Sequence, residues 1–176
     1  MTATATATNP VSGDPSDRAE SIRKRIRNAW MLRSFMLAKL PLGLIAGLKV
    51  TELDEERCEV FVPYGWRTTN PFRSMYFAAQ SMAAEMSTGA LGLTAVRSAP
   101  VPVSVLIVGM EAEFCKKANQ HVRFRCADGA VLADAVQRAV DTGESVTAEA
   151  TSVGTMPDGT VVSRFRFTWS FRRKSQ

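Results

Sequence analysis

Alternation of apolar and polar positions dominates the second half of the chain and predicts a sheet. From Val161 to Phe171, Phe165, Phe167, Trp169 and Phe171 share one parity while Arg164, Arg166, Thr168 and Ser170 share the other, as in a strand buried on one face. His121 to Cys126 repeats the pattern, Val122, Phe124 and Cys126 opposing His121, Arg123 and Arg125. A long strand is expected over Ser104 to Lys117, with Leu106, Val108, Met110, Ala112 and Phe114 on one parity. Further strands are expected over Ser145 to Gly154, Leu44 to Leu53 and Glu56 to Tyr64. The Asp128-Gly129 turn leads into a short helix through Val140 that ends near Gly143.

Two stretches follow helical spacing instead. Asn70 to Gly89 is rich in Ala and Met, with Pro71 suited to a first turn and Gly89 to a helix end. Met75, Ala79, Met82 and Met86 trace one stripe, and Ser74, Phe77, Ser81, Glu85 and Thr88 another, so most of this helix's circumference is expected to be buried. Arg18 to Leu40 is the second helical stretch, interrupted by Leu40-Pro41-Leu42-Gly43. It is expected to cover the core or a partner subunit, and the basic run Arg23 to Arg27 leaves a membrane-contacting amphipathic helix as the alternative. These elements describe an α+β fold, an antiparallel sheet wrapped around a long central helix. It forms a single domain over 18–176, with an N-terminal helical extension, behind a flexible tail over 1–17.

Composition narrows the function classes. A chain of 176 residues suits one well-packed domain. Lys and Arg number 22 against 17 Asp and Glu, a net charge of +5 that favours anionic partners, yet no nucleic-acid recognition module is present and no nucleic-acid partner is expected. The three cysteines, Cys58, Cys115 and Cys126, and the one histidine, His121, match no metal-ligand spacing, so neither metal nor cofactor is expected. The Thr-Ala repeats at the start lack the basic opening and apolar centre of a secretory signal, and no apolar run is long enough for stable membrane insertion. The expected location is cytoplasmic. Arg123, Arg125, Arg164 and Arg166 form a basic cluster if their strands align, suited to the phosphates of coenzyme A or to a solvated sheet face.

The run Asn70-Pro-Phe-Arg-Ser-Met-Tyr-Phe-Ala-Ala-Gln-Ser-Met-Ala-Ala-Glu85, with the Phe-rich end Arg164 to Phe171, resembles the hotdog superfamily, in an uncharacterised thioesterase-like branch. The resemblance covers roughly Leu40 to Phe171. It implies an acyl-CoA or related acyl-thioester substrate and an assembly of at least two protomers, with sites between the long helix of one and the sheet or loop of another. The Ser74-Met75-Tyr76-Phe77 stretch departs from the His-Gly segment at the helix entrance of better-known hotdog enzymes.

Glu85 is the expected reaction centre, an acidic residue on the helix where thioesterases carry one, and it either activates water as a general base or attacks directly. The residues alone equally allow a structural glutamate. Asn70, fifteen residues earlier, matches the loop asparagine of some hotdog thioesterases and would orient water or a substrate carbonyl; its plain alternative is N-capping. Backbone N–H groups near Met75 or Tyr76 are expected to serve as an oxyanion hole. Tyr76 and Gln80 are candidate substrate donors, Phe77, Phe72 and Met82 candidate liners of an acyl tunnel, and Ser81 and Thr88 candidate supports for the Glu85 carboxylate or a water. The expected activity is acyl-thioester hydrolysis, with noncatalytic acyl-ligand or acyl-carrier binding, or hydration or isomerisation of the acyl group, as alternatives.

Overall fold

The computed structural model describes residues 14–174. The order is α1 (Pro15–Arg27), α2 (Ala29–Lys39), α3 (Pro41–Ala46), β1 (Lys49–Leu53), β2 (Cys58–Val62), α4 (Phe77–Ser98), β3 (Val103–Phe114), β4 (Val122–Cys126), α5 (Gly129–Thr142), β5 (Ser145–Thr155) and β6 (Val161–Arg173). The six strands pair antiparallel in the order β1-β2-β4-β5-β6-β3 and lie across α4.

Residues 1–13 of the expected tail lie outside the described residues. The remainder is shorter than expected, because Pro15 occupies the first turn of α1 and the Asp14 side chain accepts from the Ser16 N–H as its cap. Asn28 ends α1 and starts α2, its Oδ1 accepting from the N–H groups of Trp30 and Met31. The Leu40-Pro41 break is followed by another turn of helix, so Leu44 to Ala46, expected to be extended, is helical and β1 begins at Lys49.

The larger correction concerns the central helix. It starts at Phe77, and Asn70 to Ser74 form a tight loop instead, with Arg73 in the left-handed region at φ 56°. Asn70 drives this local choice. Its Oδ1 accepts from the Phe72 and Ser74 N–H groups, and its N–H donates to the Ser74 carbonyl, which satisfies the loop backbone without a helix. Nor does Gly89 end the helix, which continues to Ser98 and stops before Pro100.

α4 is apolar around most of its surface, so burial alone leaves its rotation about its own axis poorly specified. Three buried polar links set it. The Gln80 Oε1 accepts from Ser163 on β6 at 2.8 Å, Ser87 and Ser152 on β5 share a hydrogen bond of 2.7 Å, and the Trp169 indole donates to Thr88 Oγ1 at 3.2 Å. The apolar core runs along the same contact, with Phe124, Phe165 and Phe171 almost wholly buried. Gly129, at the start of α5, packs on the β1–β2 turn, where a Cβ would strike the Glu55 carbonyl and stand 2.8 Å from Glu56 Cα.

The expected single parity of β3 is broken by a bulge between Ile107 and Gly109. Leu106 pairs with Ser170 on the outer face, whereas Met110 and Ala112 pair with Phe167 and Phe165 on the face toward α4. β3 pairs with β6 alone, so its other edge is open, and Met110 and Phe114 are each 52% exposed on the overhanging inner face.

The arginines of the outer face are less available to an anion than their clustering suggested. Arg123 pairs with Glu59, Arg125 with Glu52, and Arg166 with Glu111 and Glu149. His121 stacks at a tilt on Phe61, 5.2 Å between ring centres. Cys58 and Cys126 face each other across β2 and β4 as buried thiols, burial pushing Cys126 up to about 12 and Cys58 higher still, while Cys115 is exposed.

Candidate functional site

Glu85 lies on the flank of α4 that the sheet leaves uncovered. Its carboxylate points along the helix to Gly89, where a Cβ would stand 3.1 Å from Glu85 Oε1 and 3.3 Å from the Trp169 ring. The missing side chain thus lets the carboxylate and the indole share one space. A glycine four residues after a glutamate places that gap on the same helix face, a sequence signal that the helix-end reading of Gly89 passed over.

The group opens into a cavity of about 340 Å³ walled by Lys39, Leu40, Pro41, Leu42, Met82 and Met86. These walls are mostly hydrocarbon, and no hydrogen bond or ion pair to the carboxylate is found among the described residues. Burial therefore raises the Glu85 pKa above the ordinary glutamate value, with no cation close enough to reverse it. Neither expected support holds the carboxylate. Thr88 donates to the Glu85 main-chain carbonyl at 3.0 Å and accepts from Trp169, and Ser81 turns to the Met110 sulfur at 3.6 Å.

A second concavity, of about 780 Å³, lies at the start of α4 beside Asn70, Tyr76, Phe77, Phe114, Lys116 and Lys117. The two N–H groups expected to form an oxyanion hole are already used, Met75 donating to Ala118 and Tyr76 to Thr68, each at 2.7 Å. The first helical N–H groups, on Phe77 and Ala78, are the ones without an intrahelical acceptor, and no side chain caps them. Tyr76 is exposed and packs edge-on against Phe77. Gln80, which also borders this concavity, is buried with its Nε2 donating to the Met75 carbonyl and its Oε1 accepting from Ser163. Asn70 spends its Oδ1 on the loop; its Nδ2 donors have no partner among the described residues.

Within one chain, then, the expected catalytic pair is divided. Asn70 borders the groove at the helix start and Glu85 the cavity eight residues along α4 from Phe77, a rise of about 12 Å. The cavity walls contributed by α2 and α3 were not foreseen, because Lys39 to Leu42 read only as a helix break.

No curated protein matches the sequence. Among solved structures, a Pseudomonas aeruginosa protein of unknown function, described as a probable thioesterase, shares 19% identity over 85% of this chain and 99% of its own, with a TM-score of 0.69. A Chlorobaculum tepidum protein of unknown function shares 12% identity over 92% and 98% of the two chains, with a TM-score of 0.70. A Haemophilus influenzae thioesterase shares 14% identity over 78% and 87%, with a TM-score of 0.58. These likenesses identify the fold as α+β hotdog. Residues 28–171 match the model of a domain of unknown function, DUF4442, and the chain, hotdog in fold, belongs to that family.

Proposed function

We propose that the protein hydrolyses an acyl thioester, Glu85 acting as the general base that takes a proton from the attacking water. The observation that carries this reading is a carboxylate with no hydrogen-bonding partner among the described residues, half-buried beside hydrocarbon and open to a cavity. A base whose pKa is raised toward the working pH accepts a proton more readily than an ordinary glutamate. Water attacks the thioester carbon, Glu85 receives the proton, and the carbonyl oxygen that gains charge needs donors; the tetrahedral species then collapses with loss of the thiolate. The N–H groups of Phe77 and Ala78 and the Nδ2 of Asn70 are the donors on this chain suited to that oxygen.

Those donors and Glu85 border different cavities in one chain, so the reading includes a homodimer. The open edge of β3 and the exposed Met110 and Phe114 beside it are the surface for a second copy, whose helix start would complete the site next to Glu85. Coenzyme A is the expected thiol carrier, with Lys116 and Lys117 at the groove available to its phosphates.

The test is a mass-spectrometric screen of short, long and unsaturated acyl-CoAs. Free acid and coenzyme A in equal amounts are expected. Unchanged substrate bound in stoichiometric amount would favour the alternative, a noncatalytic acyl-ligand protein, to which the division of Asn70 from Glu85 lends support. Products still joined to coenzyme A would mean hydration or isomerisation. Gly89→Ala offers a sharper check. The new methyl crowds Glu85 Oε1 and the Trp169 ring, while alanine gains about 1 kcal/mol of helix propensity. Hydrolysis is expected to fall at least tenfold with the urea midpoint little changed, measured by thiol release and by denaturation.

A further inference from the structure

The segment that roofs the Glu85 cavity also carries the chain's most conspicuous exposed apolar surface. Trp30 is 79% exposed, Leu37 and Leu42 68% each and Ile45 58%, with Met31 and Phe35 about half exposed beside them. Soluble chains seldom leave so many large apolar groups together in water without a partner. The charge around them is one-sided. No Asp or Glu occurs between Glu20 and Glu52, while that interval holds seven Lys and Arg. Arg23 is bound to Glu20 and Glu55, but Lys24, Arg25, Arg27, Arg33 and Lys39 make no ion pair among the described residues.

We propose that α2 and α3 dock on the surface of an anionic lipid bilayer, Trp30, Leu37 and Leu42 entering the headgroup boundary and the five free cations meeting lipid phosphates. Exposed Trp and Leu interleaved with Lys and Arg is the composition of an interfacial helix. No helix among the described residues is long and apolar enough to cross a membrane, so the contact lies in the plane of the interface. Charge decides between this occupant and a second copy of the chain. Two-fold pairing of the face on itself sets Arg33 and its neighbours against identical cations, the carboxylates beside them being Asp17 and Glu20, the latter already bound to Arg23, whereas an anionic bilayer supplies the missing charge.

A groove of about 670 Å³ beside the face points to the same chemistry. It runs between α1, α2 and the far part of α4 over Ile26 and Leu93, edged by Arg18, Arg25 and Arg97, with Asp17 its one carboxylate. Arg18 Nε is buried there without an acceptor. A lipid phosphate supplies one, and the apolar floor suits the upper part of an acyl chain.

The full chain is sedimented with sucrose-loaded vesicles of phosphatidylcholine alone or mixed equally with phosphatidylglycerol. Binding is expected only to the anionic vesicles and is expected to weaken with salt. Arg25→Gln/Arg27→Gln/Arg33→Gln lowers the partition coefficient roughly a hundred-fold, at about fivefold per cation. Trp30→Ser/Leu37→Ser, at exposed positions, abolishes binding while the circular dichroism spectrum is retained. In a Trp66→Phe background, where the other indole, Trp169, is already buried, emission shifts to the blue on anionic vesicles as Trp30 enters the interface. Absence of binding, equal binding to both vesicles, or binding unaffected by the cation variant overturns the proposal. So does a loss of dimer mass by Trp30→Ser/Leu37→Ser in analytical ultracentrifugation, which assigns the face to a second copy. None of these readings depends on hydrolysis.

Discussion

Glu85→Gln is expected to lower acyl-thioester hydrolysis by about 10²- to 10⁴-fold, the range for loss of a positioned general base, while raising thermal stability at neutral pH. The two effects share one cause. Burial beside Leu40, Leu42, Met82 and Met86 raises the Glu85 pKa above its unfolded value. Between the two values the folded protein holds a proton that the unfolded chain has released. The group's contribution to stability is therefore complete below the unfolded pKa and is lost as the pH rises through the folded one. Activity runs the other way, because the base must be ionised, so kcat/KM climbs over the interval in which stability declines. Glutamine keeps the shape without the charge and removes both dependences. Thiol release followed from pH 4 to 9, with urea unfolding at each pH, measures them together; a variant that loses activity and stability in parallel would mean Glu85 serves only to hold the helix.

Phe165→Ala is expected to cost about 3–5 kcal/mol and to lower the Tm by roughly 10 °C, since each kcal/mol shifts a domain of this size by about 2–4 °C. Phe165 is the hub of the aromatic core on β6. Its ring lies 5.7 Å from Phe114, 5.9 Å from Phe124 and 6.2 Å from Phe167, and it is almost entirely buried. Truncation leaves a void among three rigid rings joined to three strands, which close around it poorly. Phe165→Leu retains most of the volume and is expected to cost about 1–2 kcal/mol. Calorimetry or urea unfolding distinguishes the two, and equal losses would show that the packing of the ring matters more than its bulk.

Legibility in the sequence followed the physical range of each interaction. The alternation in β4 and β6 was plain because one face of each is buried and the other is wet. Phe124, Phe165 and Trp169 accordingly point to the core while Arg123, Arg125 and Arg166 face outward. On β3 the same reasoning misplaced Leu106, because a bulge inserts a residue, and the one local sign of it, a glycine inside the strand at Gly109, was passed over. The central helix was recognised but displaced, because Asn70 holds its own backbone in a loop that competes with the helix Pro71 would otherwise begin. Glu85 stood out as a carboxylate in an apolar helix. Its surroundings did not, because the cavity walls come from Lys39 to Leu42, more than forty residues earlier in the chain. The hydrogen bonds that Gln80 and Thr88 make to the sheet were hidden for a related reason. Their partners, Ser163 and Trp169, lie about eighty residues later and are joined to α4 only by the fold.

The bolting of α4 to the sheet through Gln80, Ser87 and Thr88 decides which side of the Glu85 cavity can yield. Turning the helix breaks three buried hydrogen bonds at once, so the floor of the site is stiff, whereas the roof, α3, is a single turn of helix resting on it. On the proposed reading, acyl groups of different bulk are expected to be taken up by movement of α3 about Leu40 and Gly47 rather than by any turning of α4.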